Sequence, residues 1–158
     1  MKKIVFALIS LLFMVVSCNS NKIIFEEYHK MPNLSWNRFD IQKFDIPVPE
    51  GGFEADFYLT VRHIPEIPYK ELKFNFTFIL PSGEIRTADY ELEFKDKEGN
   101  SLSDCLGDLC DITMPIRKGL LVSDAGVLKI EIENKYTKLE MPGILELGLI
   151  AKASKEDL

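Results

Sequence analysis

The sequence predicts an all-β protein, an antiparallel β-sandwich that follows a lipoprotein signal peptide. Apolar and polar residues alternate with a period of two over several short segments, which is typical of strands with one buried face. Turns that contain glycine or proline separate these segments, and no long segment has the period of an amphipathic helix. About seven to nine strands of this kind form either a jelly-roll or an immunoglobulin-like sandwich, and the pattern does not distinguish the two orders.

The start of the chain predicts export and a lipid anchor. Lys2 and Lys3 precede an apolar run over residues 4–16, which is too short to cross a bilayer as a helix of about 20 residues. A positive start, a short apolar run and a small residue at its end are the features of a secretory signal peptide. Cys18 directly after Ser17 indicates the bacterial lipoprotein type, in which the thiol is acylated and becomes the new N-terminus. The alternative is an ordinary signal peptide that is cleaved nearby and leaves Cys18 unmodified.

This start divides the chain into three parts. They are a signal peptide at residues 1–17, an acylated cysteine with a short tether at residues 18–22, and a β-sandwich domain at residues 23–158. A single acyl chain binds a membrane only marginally, at about 0.8 kcal/mol per buried CH₂, whereas a diacyl or triacyl cysteine that carries palmitate-like chains is a stable anchor. The covalent lipid on Cys18 is the only non-protein group that we expect, and we expect no other cofactor.

The mature domain is acidic. Removal of residues 1–17 takes away two lysines and no acidic residue, so 19 basic residues become 17 against 25 acidic ones and the formal net charge changes from −6 to −8. A net acidic chain without a basic stripe argues against the binding of nucleic acid. The expected partners are the membrane, through the lipid, and other envelope proteins. Neither nucleic acid nor a small-molecule substrate is expected.

The predicted strands follow from the alternation, in chain order. Three early strands are predicted at residues 23–28, 39–47 and 55–62. The clearest pattern is a row of apolar residues on one face of residues 72–80, followed by a Pro-Ser-Gly-Glu turn at residues 81–84. Further inward rows are predicted at Tyr90, Leu92 and Phe94, at Leu128, Ile130 and Ile132, and at Leu145, Leu147 and Leu149, with a charged turn at residues 95–100.

Acylation of Cys18 leaves two other cysteines, Cys105 and Cys110. An even pair in an oxidising compartment is a candidate disulfide, and Gly107 between them permits the tight turn that such a bond needs. The alternative is two separate thiols, one buried and one in a loop. We do not assign this spacing to a metal or redox site.

The sequence contains few signs of catalytic chemistry. It lacks a Gly-x-Ser-x-Gly nucleophile elbow, a His-Glu-x-x-His pair and a phosphate-binding loop. Its two histidines, His29 and His63, are expected to be ordinary surface residues. Acidic residues crowd residues 96–111 and suggest calcium, but the regular calcium-loop spacing is absent and solvated turns are the simpler explanation. We therefore predict no enzyme, no catalytic residue and no metal site.

The aromatic residues suggest a second class of function. Trp36, Tyr58, Tyr69 and Tyr136 would bind sugars by stacking if they lined one exposed face of a sheet. Aromatic residues in strands more often pack in the interior. A carbohydrate-binding envelope lipoprotein is therefore the alternative to a protein that docks on other proteins.

Several local motifs occur in order along nearly the whole chain. They are Cys18, Trp36-Asn37-Arg38-Phe39-Asp40, Ile67-Pro68-Tyr69-Lys70-Glu71-Leu72, Gly107-Asp108-Leu109-Cys110-Asp111 and the segment from Leu139 to Leu149. In this order they resemble the GldH family of gliding-motility lipoproteins from Bacteroidetes-type bacteria. Ile67, Glu71 and Cys110 depart from the family's pattern.

The resemblance implies a membrane-anchored, non-catalytic component or accessory of gliding-motility or secretion-type machinery that acts by protein docking. It supplies no binding residues. We place the partner-contact surface at Trp36, Pro68 and Tyr69, with Gly107, Asp108 and Asp111 as a second candidate. Surface-directed lipoproteins of these bacteria often carry an acidic run after the cysteine, and residues 19–22 lack one. This implies an outer-membrane lipoprotein that faces the periplasm.

Overall fold

The fold consists mainly of two antiparallel sheets that face each other. Most of their strands are the segments in which apolar and polar residues alternate in the sequence. The computed structural model describes residues 22–154. The signal peptide predicted at residues 1–17 and the acylation predicted at Cys18 lie outside the described residues. Within residues 22–154 the chain is almost entirely β, and its single helical element is a 3₁₀ turn at Pro32–Leu34.

The described part of the chain forms eleven strands in three sheets. The strands are β1 (Ile23–Lys30), β2 (Ser35–Asn37), β3 (Gln42–Val48), β4 (Phe53–His63), β5 (Glu71–Ile79), β6 (Ile85–Glu93), β7 (Asp104–Leu106), β8 (Leu109–Val122), β9 (Gly126–Asn134), β10 (Glu140–Pro142) and β11 (Ile144–Ala153). A five-stranded sheet has the order β1-β11-β4-β8-β7, and a four-stranded sheet has the order β3-β9-β5-β6. A small third sheet pairs β2 with β10.

The strand order identifies the topology of the sandwich. When the short strands β2, β7 and β10 are set aside, the eight long strands lie in the order first-eighth-third-sixth in one sheet. In the other sheet the order is second-seventh-fourth-fifth. This is the jelly-roll order, in which most successive strands cross from one sheet to the other. The predicted β-sandwich is confirmed, and the jelly roll is the order that it adopts.

Inward-facing apolar side chains fill the space between the two sheets. Phe57 of β4 and Phe78 of β5 meet edge to face across that space, with their ring centroids 5.2 Å apart. The apolar rows predicted on β5 and β9 are buried. Leu145 is only half-buried, because a bulge shifts the register between Ile144 and Glu146 and Ile144 takes the inward place instead.

One early strand begins later than the sequence predicts. The strand predicted from residue 39 starts at Gln42, because the chain first makes a turn in which the Asp40 N–H donates to the Asn37 carbonyl at 3.0 Å. This turn places Phe39 in solvent, where it is 77% exposed.

The sequence does not predict β8, although it is the longest strand of the described chain. The register between β8 and β4 shifts twice, on either side of Phe57. Each shift inserts an extra residue and reverses which side chains point inward, so the period-two pattern is lost. Pro115 and Gly119 lie within the same strand and weaken its signal further.

Trp36 of β2 is fully buried and connects three parts of the fold. Its indole Nε1–H donates to the Asp40 carbonyl at 2.8 Å, and the Asn134 side-chain amide donates to the Trp36 carbonyl at 3.4 Å. Its strand partner on β10 is Met141, which is also fully buried. The side chain therefore anchors the small β2–β10 sheet to the sandwich.

Substitution of Trp36 by alanine should lower the free energy of unfolding by about 3–5 kcal/mol, because it leaves a cavity in the core. Phe39→Ala is a matched control that removes a large, exposed aromatic group three residues away, and it should change the free energy of unfolding by less than about 0.5 kcal/mol. Urea unfolding of both variants, followed by circular dichroism, measures the two values. Equal effects would contradict the assignment of Trp36 to the core.

Candidate functional site

The β7–β8 hairpin projects from the edge of the five-stranded sheet and exposes two leucines. Leu106 and Leu109 pair at its tip and are 88% and 42% exposed. Gly107 in the turn has a φ of +62°, a conformation that favours glycine. Cys105 and Cys110 pair directly behind these leucines and are disulfide-bonded in the structure. The hairpin is therefore a small, cross-linked projection with an apolar tip.

An ion pair holds the base of the hairpin to β4. Arg62 donates from Nε and Nη2 to the two carboxylate oxygens of Asp111, at 2.7 and 2.9 Å. Its Nη1 lies 3.7 Å from Glu146 on β11. The hydrogen bonds from Arg62 lower the pKa of Asp111, and the same bonds raise the pKa of Arg62. This two-pronged contact fixes the strand at the point where the hairpin leaves the sheet.

His63 also supports the hairpin, and the sequence prediction of a surface histidine is wrong. The residue ends β4 on the inward side and is only 2% exposed. The Ile64 carbonyl, 2.7 Å from Nδ1, only accepts hydrogen bonds, so Nδ1 carries the proton and Nε2 accepts from the Ser103 hydroxyl at 2.7 Å. Burial lowers the pKa of His63, which keeps the ring neutral. Nδ1 therefore binds the chain just after β4, and Nε2 binds Ser103 in the segment that enters β7.

A shallow groove of about 480 Å³ lies beside this ion pair on the outer face of the five-stranded sheet. The Tyr28 ring lies across Gly148, where a Cβ atom would overlap it. The Tyr28 hydroxyl donates to Glu26 at 2.5 Å, and this bond raises the pKa of Tyr28 to about 12. Thr60 and Thr113 share a hydrogen bond of 2.9 Å on the same face. The polar groups of the groove mostly bind one another.

The structure divides the predicted partner-contact residues into two groups. Trp36 is fully buried, and Tyr69 is 8% exposed with its hydroxyl donating to the Pro142 carbonyl at 2.5 Å. These two side chains present no surface to a partner, and we correct the prediction for them. Pro68 is exposed, but Trp36 and Tyr69, which were predicted to form a contact surface with it, are buried.

The second predicted group lies together on the hairpin. Gly107 and Asp108 are exposed in its turn, and Asp111 is the half-buried partner of Arg62 at its base. The sequence did not point to Leu106, because an exposed leucine has no local signature. The hairpin is therefore the candidate docking site that the structure retains.

The aromatic residues that suggested sugar binding do not form a row. Tyr58 lies on the outer face of the five-stranded sheet, with Lys152 Nζ 5.2 Å from its ring centroid. Tyr136 instead packs against the buried Tyr69, at 5.7 Å between ring centroids. Burial of Trp36 removes the side chain on which the carbohydrate hypothesis mainly depended.

Comparison with known protein families decides the relationship. A family model described as GldH lipoprotein matches residues 23–150, which covers nearly all of the described domain. The chain belongs to the GldH lipoprotein family. The resemblance found in the sequence is thereby confirmed, and this GldH lipoprotein is associated with gliding motility and with anchoring to the cell envelope.

The other comparisons add little. Dimeric, latent PorU from Porphyromonas gingivalis is similar over 88% of this chain, at 8% sequence identity and a TM-score of 0.36. The GldH chain spans 14% of the length of that structure, and a likeness this low supports no conclusion about function. No curated protein matches this chain.

No helix within residues 22–154 is long and apolar enough to cross a membrane. The same residues contain no group of three or more histidine, cysteine or acidic side chains placed to hold a metal ion.

The Arg62–Asp111 pair predicts a specific dependence of stability on pH. Because Arg62 lowers the pKa of Asp111 in the folded state, the ionised carboxylate stabilises the fold above its unfolded pKa of about 3.9. This contribution is lost as the pH falls through the lowered pKa. Asp111→Asn should therefore be less stable than the natural protein near neutral pH, and the difference should shrink towards about pH 2. Since both side chains are about 40% exposed, the difference should stay below about 1 kcal/mol.

Urea unfolding of both proteins over this pH range measures the effect. Asp108→Asn is the control, because it removes an exposed hairpin carboxylate that takes part in no ion pair among the described residues. A destabilisation by Asp111→Asn that stays constant with pH would contradict the role assigned to the pair.

Proposed function

We propose that this GldH lipoprotein is a non-catalytic docking component of gliding-motility or secretion-type machinery in the cell envelope. In this proposal a lipid on Cys18 anchors it to the outer membrane, and the β-sandwich faces the periplasm and binds other envelope proteins. The observation that carries the docking role is the cross-linked β7–β8 hairpin, which holds Leu106 in solvent at 88% exposure.

The hairpin has the physical properties of a binding anchor. A leucine on a flexible loop loses conformational freedom when it binds, but the disulfide and the Arg62–Asp111 pair fix this one in advance. Asp108 places a carboxylate in the turn beside the apolar tip, and Asp104 places another at the base of the hairpin. A small apolar centre with a polar rim is the usual anatomy of a protein interface. The matching partner surface is an apolar pocket with basic residues at its rim.

The bonding of the polar groups supports a non-catalytic role. Arg62 and Asp111 neutralise each other, and both nitrogens of His63 are used to hold the chain together. A general base or nucleophile needs a free position that faces a substrate. These side chains are instead arranged to support the hairpin.

The anchor and the disulfide are tested by the mass of the protein purified from membranes. The mature chain should begin at Cys18 and carry a diacyl or triacyl modification. Reduction and alkylation should then label Cys105 and Cys110, which should resist alkylation before reduction. Cys18→Ala should release the protein from the membrane fraction. A mature chain without lipid, or with both hairpin thiols free, would contradict the corresponding part of the proposal.

Leu106→Asp should weaken docking, because it places a charge in the apolar pocket of the partner. A buried leucine anchor is worth at least about 1.4 kcal/mol, so partner recovery after cross-linking in native membranes should fall about tenfold or more. Leu121→Asp is the matched control, since Leu121 is also an exposed leucine on β8, at 59% exposure, but lies outside the hairpin. Recovery of the same partners in the same amounts from both variants would exclude the hairpin as the docking site.

A further inference from the structure

β6 is an open edge of the four-stranded sheet. It pairs only with β5, and the register of that pairing is regular over all nine residues. Most of the strand is exposed. Among the described residues, no backbone hydrogen bond links β6 to any strand other than β5.

The outward backbone groups of β6 can be assigned from its two ends. The Leu80 N–H donates to the Glu84 carbonyl just before β6, and the Phe94 N–H donates to the Lys70 carbonyl just after it. Hydrogen-bonded pairs alternate along an antiparallel ladder, so the even-numbered residues of β6 bond to β5. The odd-numbered ones therefore turn their N–H and C=O groups away from the sheet. They are Ile85, Thr87, Asp89, Glu91 and Glu93.

The other long exposed edges are interrupted, whereas β6 is regular. β1 contains a register shift between Ile23 and Phe25, β3 contains Pro47, and β8 beyond the hairpin contains Pro115 and two bulges. Bulges and prolines prevent another chain from pairing with an edge. β6 has neither of these, nor a glycine. Its charged side chains limit which chains could pair with it, but they do not block its backbone groups.

A crevice of about 330 Å³ runs beside β6, between the two sheets. Phe76, Phe78 and Leu120 contribute apolar side chains to its lining. The Tyr90 hydroxyl spans the sheets and donates to the Ile116 carbonyl at 2.9 Å. This bond holds β6 beside β8.

Two arginines line the crevice, and Arg117, which has no ion-pair partner among the described residues, makes it cationic. Arg86 lies on β6, where Glu84 pairs with it at 2.6 Å, and Arg117 lies on β8. No described carboxylate lies within ion-pair distance of Arg117. The bulge in β8 decides where this side chain points: Pro115 pairs with the outward Tyr58, but the register shift then pairs Arg117 with the inward Phe57.

We propose that β6 and this crevice form a strand-addition site for an extended segment of a partner protein. The partner's backbone would bond to the outward groups of Thr87, Asp89 and Glu91. Alternate side chains of an added strand point into the crevice. A carboxylate there would face Arg86 and Arg117, and apolar side chains would pack near Tyr90 and the phenylalanines. This inference rests on the docking role proposed above but uses a different surface.

A second copy of the same chain fits this site less well. Pairing of two β6 strands would bring together two outer rows of carboxylates from Asp89, Glu91 and Glu93. It would also bring together two crevices that each contain two arginines. A segment of another protein that carries one inward carboxylate among apolar side chains fits the crevice and adds no negative charge beside the outer row of β6.

The probe is a synthetic peptide of the same length as β6, in which valine and threonine alternate and one valine is replaced by glutamate. The control peptide carries lysine in place of the glutamate. Binding to the mature protein in detergent is followed by hydrogen exchange at the Thr87 and Glu91 amides. The glutamate peptide should slow this exchange, and its affinity should exceed that of the lysine peptide by about tenfold or more.

Two pairs of variants separate strand addition from non-specific binding. Asp89→Pro removes an outward N–H but no bond to β5, and should abolish protection, whereas Asp89→Asn makes the same change in charge and should preserve it. Arg117→Glu should remove the preference for the glutamate peptide, whereas Lys118→Glu, at the next residue, should not. If Asp89→Pro does not fold, the second pair still decides the outcome.

Four results would overturn the proposal. They are absence of protection by the glutamate peptide, equal binding to Asp89→Pro and Asp89→Asn, an unchanged preference for the glutamate peptide in Arg117→Glu, or a β6-dependent dimer in the absence of peptide. Leu106→Asp should bind the peptide normally. Failure of the β6 site and failure of the hairpin are therefore distinguishable.

Discussion

The packing of two apolar sheet faces against each other is the constraint on which the rest of the structure depends. Phe57 and Phe78 meet across the interior, and the inward residues of β4, β5, β9 and β11 surround them. Because the period-two apolar residues all face this layer, the outer faces of the sheets are left with polar and charged side chains. The two docking surfaces proposed for this domain therefore lie where the sandwich is interrupted, one at a hairpin tip and the other at an open strand edge beside a crevice between the sheets.

The sequence predicted the parts of the fold in which local pattern and tertiary structure agree. β5 and β9 alternate strictly, because both lie inside their sheet and bury one full face. The burial of His63 was also predictable. It comes two residues after Val61 and so continues the inward series of Ala55, Phe57, Leu59 and Val61. The jelly-roll order was not predictable in the same way. It depends on pairings such as β1 with β11, which join the two ends of the domain and leave no local pattern.

The candidate site shows the same division between local and long-range information. The hairpin was predictable, because a glycine between two nearby cysteines describes a tight turn within one short segment. Trp36 was misplaced, because a strand of three residues is too short to show which of its faces is buried. β6 was recognised only in its second half. Arg86 and Ala88 occupy inward positions but face the open crevice, so this half of the strand lacks the alternation of apolar and polar residues.

β8 connects the two proposed surfaces, and its irregularity lets one strand contribute to both. Its first residues form the hairpin and place Asp111 on the outer face, beside Arg62. A regular strand would continue that alternation and place Arg117 on the outer face as well, since it is six residues from Asp111. The bulge after Pro115 reverses the phase, so Arg117 points into the crevice while Asp111 stays at the hairpin base. The feature that hides β8 from sequence prediction is thus the one that lets a single strand serve both faces of its sheet.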